Sequence, residues 1–324
     1  MDVSIILEIV LLILGFVFLI KGSDIFVDGA SSIASLLKIP TIIVGLTIVA
    51  LGTSAPEAAV SITSSLTGSN AMAVSNVIGS NMFNLLMIIG ICALLKELQL
   101  EKEVITRDLL ALLIVTVAFT LFGIIFKGIW TIIGIILLIG LFIYIFILIR
   151  DVGNAGAAKH VEEPKLTLKK SILYIIIGLV GIVVGGNWVV YSASEIAIAV
   201  GMSETLVGLT IVAIGTSLPE LVTSITALNK GETQLIIGNV IGSNIFNILF
   251  VLGASSAISA IPLEPAIYID LIFMTVCTVI FYIFGKKNPF SAKKDSFDKP
   301  EGAILVILFI IYMGFAIWRN YFPF

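Results

Sequence analysis

Apolar positions in this 324-residue chain gather into ten long runs, separated by short polar breaks. The runs are 3–34, 41–67, 71–95, 105–126, 129–150, 170–200, 205–228, 233–260, 266–285 and 301–319. Each is about twenty residues or longer, enough for an α-helix to cross roughly 30 Å of hydrocarbon. The longest break, 151–169, reads as a flexible connector, and a second, 286–300, precedes the last run. The pattern predicts an all-α polytopic membrane protein with ten transmembrane helices.

The same text also occurs twice. GLTIVALGTSAPEAAVSITS at 45–64 returns as GLTIVAIGTSLPELVTSITA at 208–227, with 14 of 20 positions identical at an offset of 163. SNVIGSNMFNLLMIIG at 75–90 returns as GNVIGSNIFNILFVLG at 238–253, at the same offset. The copy extends back to Gly22 against Gly185 and Ala30 against Ala193. Residues 1–150 thus form one five-helix unit, 151–169 a cytoplasmic connector and 170–324 a second unit. Five crossings is an odd number, so tandem copies cross the membrane in opposite directions. Two inverted five-helix repeats are expected.

Charge then orients the chain. Alternate loops collect 15 Lys and Arg on one side and only Lys127 and Arg319 on the other, with Lys21 inside the first run. The Lys-rich side is expected to be cytoplasmic, which places both termini outside the cell membrane. The start, Met-Asp without a basic region, reads as a first transmembrane helix and not as a cleaved signal.

Composition agrees. Hydrophobic residues make up 59% and charged residues 12%, with a mean hydropathy of +1.19. No water-soluble fold needs that much apolar surface. The net charge of −3 is uninformative, and no basic tract with interleaved aromatics suggests a nucleic-acid partner. Cys92 and Cys277 lie in apolar runs and read as buried small apolar residues. The single histidine, His160, lies in a polar loop, which disfavours a histidine metal site.

The repeated motif carries the chemistry. Gly-Thr-Ser-Ala-Pro-Glu at 52–57 and Gly-Thr-Ser-Leu-Pro-Glu at 215–220 each place a carboxylate, Glu57 or Glu220, beside a proline in an apolar run. A carboxylate at membrane depth is costly and functional by default. Proline lacks an N–H and crowds the carbonyl four residues back, at Gly52 or Gly215, so the helix is expected to break at mid-membrane. Carbonyls freed near Ala50, Thr53, Ala213 and Thr216 then need partners. Thr53, Ser54, Thr216 and Ser217 add hydroxyls. The second motif adds Ser80, Asn81 and Asn84, and Ser243, Asn244 and Asn247, with Ser80 and Asn84 on one helical face. Gly79 and Gly242 are expected to permit close helix approach.

This all-oxygen set suits Ca²⁺ or Na⁺ and not zinc or copper. Two carboxylates neutralise one Ca²⁺ or two Na⁺, so one site holds either ion class but not both. Lys21, Asp24 and Asp28 share a face of the first run without charged counterparts in the second copy, and read as a local ion pair. Phe83, Met87, Phe246 and Phe250 read as packing.

These motifs, GLTIVALGTSAPE with SNVIGSNMFN and GLTIVAIGTSLPE with GNVIGSNIFN, resemble the two alpha repeats of the sodium/calcium exchangers, in the calcium/cation antiporter superfamily. The resemblance covers nearly the whole length. It implies ten helices around four clustered ion sites, with the first and sixth helices sliding past the rest. It implies Glu57, Glu220, Thr53 and Thr216 as Ca²⁺ ligands. It implies Ala50, Ser54, Ser80, Ala213, Ser217 and Ser243, with both glutamates, as Na⁺ ligands. Asn84 and Asn247 fall at the middle position, where relatives often carry one aspartate. Its absence argues against K⁺ dependence. With three Na⁺ bound, two carboxylates leave a charge of +1, against neutrality with Ca²⁺, so the stoichiometry stays open.

Na⁺/Ca²⁺ exchange is therefore the expected function, with no cofactor, the ions as cargo, and the protein working as a monomer in the lipid bilayer. A proton-coupled Ca²⁺ exchanger is the alternative, because paired carboxylates also carry protons. A cation channel fits inverted repeats less well. An enzyme is disfavoured: no histidine lies within an apolar run, and no paired membrane aspartates lie near a Gly-x-Gly-Asp motif.

Overall fold

The computed structural model describes residues 3–68, 70–154, 164–202, 211, 213–286 and 295–321. His160 lies outside them. The chain is helical almost throughout. In the first copy α1 (Val3–Leu37) is followed by α2 (Thr41–Thr53) and α3 (Ala55–Leu66), then α4 (Asn70–Leu95) and α5 (Val104–Phe126), and α6 (Thr131–Asn154). The second copy has α7 (Leu168–Ala199), a helical turn Ala213–Gly215, α8 (Leu218–Asn229), α9 (Thr233–Ile258), α10 (Pro265–Lys286) and α11 (Lys299–Tyr321).

Among the described residues, eight helices are long and apolar enough to span a bilayer, and α2 with α3 form a ninth span bent by 48°. The run 205–228, expected as another span, lies partly outside the described residues. Where they are described, helix ends fall within four residues of the sequence expectation.

The bend in the 41–67 run has the expected cause. Pro56 is the second residue of α3, and Ser54 just before it leaves helical geometry at φ −81°, ψ 7°. In the second copy Pro219 takes the same place in α8, after Ser217 at φ −94°, ψ 6°. One expectation needs correction. The Ala50 carbonyl at the first break is not left bare, because it accepts the Ser54 N–H at 3.0 Å. That bond leaves a ligand only the second lone pair of the Ala50 carbonyl.

α4 and α9 form the interior. Every residue of α9 from Leu235 to Phe246 is buried. The peripheral helices turn large apolar side chains outward instead: Ile6, Val10, Ile13 and Val17 on α1, and Phe142, Phe146 and Ile149 on α6. Lipid replaces water as their solvent, so these helices need no polar face.

Helices meet through small residues, as expected where no hydrophobic force joins them in lipid. α1 and α7 pack antiparallel: Gly15 meets Gly185 and Val189, Gly22 meets Gly178 and Ile182, and Gly29 meets Ser171 and Ile175. A Cβ on Gly185 would lie 2.5 Å from the Leu19 nitrogen, and one on Gly178 2.6 Å from the Phe26 nitrogen. Gly15 and Gly178, like Gly22 and Gly185, are counterparts at the 163 offset. The first helices of the two copies therefore run in opposite directions. The copies are also interleaved. Gly90 on α4 meets Gly302 on α11, and its counterpart Gly253 on α9 meets Gly134 on α6.

Polar contacts fasten the loops and helix ends. β1 (Leu98–Gln99) pairs antiparallel with β4 (Ser296–Phe297), and β2 (Gly128–Ile129) with β3 (Ile261–Pro262), each tying a loop of one copy to a loop of the other. Arg107 grips Asp108 in a fork, Nε to Oδ1 and Nη2 to Oδ2 both at 2.9 Å, and Tyr144 donates to Asp108 Oδ1 at 3.2 Å. The second copy has a similar cluster in which Arg319 and Tyr312 donate to Asp270 at 2.8 and 3.3 Å. The expected ion pair on the first run is redrawn. Lys21 is exposed. Asp28 and Asp24 instead meet Lys230, from the turn after α8, at 2.7 and 3.6 Å. The partner lies two hundred residues away, beyond the reach of local spacing.

Because backbone faces each glycine across the α1–α7 interface, Gly185→Ala and Gly178→Ala should each destabilise the protein by about 1–3 kcal/mol. Gly314 has open space where a Cβ would go, so Gly314→Ala should leave stability unchanged or slightly raised. Thermal unfolding in detergent checks this, and equal melting temperatures for all three variants would contradict the packing.

Candidate functional site

Two breaks and two interior helices converge on one buried cluster. Glu57 enters from the first turn of α3 and Glu220 from the first turn of α8. Both are completely buried. Each carboxylate is held by the serine of the opposite break. Ser217 Oγ donates to Glu57 Oε1 at 3.0 Å, and Ser54 Oγ donates to Glu220 Oε1 at 3.0 Å. The exchange is reciprocal at the 163 offset and draws the two carboxylates to a common centre. Ser80 Oγ, from α4, adds a longer bond of 3.4 Å to Glu57 Oε1.

Beside the carboxylates lies a ring of four asparagines from α4 and α9. Asn84 Nδ2 donates to Asn244 Oδ1 at 3.1 Å, and Asn247 Nδ2 donates to Asn81 Oδ1 at 3.0 Å. Asn81 and Asn244 donate to each other's backbone carbonyls at 3.4 and 3.2 Å. The helices loosen here into π-helical turns, Phe83–Ile88 in α4 and Asn247–Leu252 in α9. Such wide turns interrupt the regular bonding ladder and recur at functional sites.

Four oxygens of this cluster are buried without a donor: Glu57 Oε2, Glu220 Oε2, Asn84 Oδ1 and Asn247 Oδ1. They form two matched pairs at the 163 offset. Buried polar atoms are almost always partnered. These orphaned acceptors, two of them on carboxylates, call for a positive charge.

The chain as a whole matches known proteins. A model of the sodium/calcium exchanger protein family matches residues 7–150 and 170–318. The chain belongs to the sodium/calcium exchanger family. It is 30% identical over 343 residues to the sodium/calcium exchanger MaX1 of Methanosarcina acetivorans, across 94% of this chain and 96% of that protein. It is 31% identical over 322 residues to the inner membrane protein YrbG of Escherichia coli strain K12, across 96% of this chain and 97% of that one. A solved structure of the sodium-calcium exchanger NCX_Mj, soaked with Na⁺ and Ca²⁺, superposes with a TM-score of 0.83 at 31% identity, covering 95% of this chain and 98% of that one. An exchanger carries its ions as cargo, and a polytopic membrane fold accords with that.

Of the residues singled out in this exchanger's sequence, Glu57, Glu220, Ser54, Ser217 and Ser80 meet at the carboxylates, and Asn84 and Asn247 lie in the asparagine ring. Thr53 and Thr216 are buried but donate to Asn239 and Asn76, at 3.0 and 3.4 Å. The Ala50 carbonyl accepts the Ser54 N–H at 3.0 Å and the Ser243 hydroxyl at 3.5 Å. Ala213 opens the helical turn before α8, and its side chain lies outside the described residues. Gly242 does allow close approach, a Cβ there falling 2.7 Å from that of Ala50, whereas at Gly79 no atom of the described residues lies within 4 Å of a Cβ. Phe83 packs edge-on against Phe309 at 5.4 Å, as a core residue does. Cys92 and Cys277 are free and buried.

Asn76 and Asn239 were passed over in the sequence. Their matched positions within the second motif are the signal that marks them. Among the described residues no three His, Cys, Asp or Glu side chains converge, so any ion here must be held largely by hydroxyl, amide and carbonyl oxygens.

The ring makes one substitution informative. Asn247→Asp places a third negative charge beside two buried carboxylates, and like charges in low dielectric must be balanced. The variant should take up a proton or a further cation, so that its Ca²⁺ flux becomes more pH-dependent or gains a response to K⁺. Flux measured from pH 6 to 9, with and without K⁺, tests this. Profiles that overlay wild type would place Asn247 outside the ion cluster.

Proposed function

We propose that this exchanger is a secondary antiporter that trades Na⁺ for Ca²⁺ by alternating access to one site at mid-membrane. The observation that carries the reading is the pair of fully buried glutamates, cross-bonded by serines of the opposite copy and each left with an orphaned oxygen. A hard cation needing 6–8 oxygens satisfies those acceptors. Glu57 and Glu220, with Thr53 and Thr216, bind Ca²⁺. The two glutamates with Ser54, Ser80, Ser217 and Ser243 and the carbonyls of Ala50 and Ala213 bind Na⁺. Asn84 and Asn247 supply amide oxygens at the middle. With only two carboxylates, charge neutrality permits one Ca²⁺ or two Na⁺, and this competition couples the fluxes.

The architecture we propose is two inverted repeats, residues 1–150 and 170–324, joined by a cytoplasmic connector. Support comes from the odd number of runs per copy and from the opposite directions of α1 and α7. The Lys-rich loops place both termini outside. The protein acts as a monomer in this reading. No aspartate stands at either middle position, so K⁺ is not co-transported.

The test is Ca²⁺ uptake into sealed vesicles under Na⁺, K⁺ and H⁺ gradients imposed separately. An outward Na⁺ gradient should drive uptake, and the others should not. Uptake driven by the pH gradient alone would establish proton coupling instead. Glu57→Gln and Glu220→Gln should each abolish uptake, because each removes half the neutralising charge. Either variant running near the wild-type rate would overturn the site assignment.

A further inference from the structure

Asn76 and Asn239 occupy the same place in the two copies of the second motif, and neither is an ion ligand in the scheme above. Both spend their amide hydrogens at home. Asn239 Nδ2 donates to Ser224 Oγ on α8 at 3.3 Å. Asn76 Nδ2 donates to Ser61 Oγ on α3 at 3.0 Å and to the Glu57 carbonyl at 3.4 Å. Ser61 and Ser224 are themselves counterparts at the offset. With the donor end so occupied, each amide oxygen faces the other copy. Asn239 Oδ1 accepts the Thr53 hydroxyl at 3.0 Å, and Asn76 Oδ1 accepts the Thr216 hydroxyl at 3.4 Å.

A threonine hydroxyl has one proton and two lone pairs, and its rotor turns to suit its partners. A cation takes a lone pair, so the proton must be directed elsewhere. Inside a helix the ordinary acceptor is a carbonyl about one turn back. Thr53 has two such choices, Val49 O at 3.1 Å and Ala50 O at 3.4 Å. Asn239 offers a shorter bond from a different direction and is itself almost fully buried, 1% exposed, so water does not compete for it.

We propose that Asn76 and Asn239 are positioning residues: each takes the proton of the opposite copy's threonine and so turns that hydroxyl's lone pairs toward the ion. A second effect follows for Asn239. A Thr53 proton held by Asn239 leaves the Ala50 carbonyl free of that hydroxyl, and Ala50 is one of the Na⁺ ligands in the reading above. The inference rests on the assignment of Thr53 and Thr216 as Ca²⁺ ligands. Outer partners of this kind typically contribute 10–100-fold in metal affinity.

A double-mutant cycle in the reconstituted full chain separates positioning from plain structural support. The readout is the Ca²⁺ concentration for half-maximal Na⁺-driven uptake, together with the maximal rate. Asn239→Leu should raise that concentration by about 10–100-fold, with a smaller change in maximal rate. In the Thr53→Val background the same change should add less than about twofold, because the hydroxyl it orients is gone. Equal factors in both backgrounds, or a fall in maximal rate alone, would overturn the inference while leaving Thr53 a ligand. Thr53→Val without effect would instead overturn the ligand assignment, and the inference with it. If Asn239→Leu does not reconstitute, Asn76→Leu with Thr216→Val carries the same test, and an additive result there overturns the proposal equally.

Discussion

The structure depends on one constraint: two carboxylates, Glu57 and Glu220, are completely buried at the centre of a protein whose outer surface is hydrocarbon-like. An ionised carboxylate removed from water carries a penalty of several kcal/mol unless charge and hydrogen bonds replace its solvent. The protein supplies part of that replacement from serines and leaves the remainder to be met by a positive charge. Everything near the centre can be understood as a way of bringing enough small oxygen donors to two points without admitting bulk water.

Broken helices are how the chain does this. Pro56 and Pro219 start new helices just before the glutamates, so each carboxylate lies in a first turn. Helix N-termini carry unpaired N–H groups and a partial positive charge, which favours an anionic side chain there. The serine preceding each proline is released from helical geometry and donates across to the other copy. Symmetry then does the rest. A contact made by one copy recurs with roles exchanged in the other, as in the Ser54–Glu220 and Ser217–Glu57 bonds.

The two copies share these bonds but not every detail of them. Gly242 is closed in by Ala50 and Leu46. Asn239 is buried and bonds Thr53 tightly, while Asn76 is half-buried and bonds Thr216 at a longer distance. Lys230 holds Asp24 and Asp28 at one end of α1, and the offset counterpart of Lys230 is Thr67, which has no charge to offer.

The sequence alone determined much of this. Run lengths located the helices because a bilayer sets the length of an apolar segment. The repeat revealed the duplicated motifs, and proline beside glutamate marked the breaks and the carboxylates, since both effects are local to a few residues of chain. What local spacing cannot encode is which side chain answers which across the copies. Asp28 finds Lys230, Tyr144 finds Asp108, Thr53 finds Asn239, and short strands join loops more than 130 residues apart. The repeat marks the asparagines at 76 and 239 as a matched pair, but their threonine partners emerge only when the helices of the two copies are laid together. These partnerships depend on how closely glycines let helices approach and on which face a bend turns inward, and only the packed tertiary structure decides those.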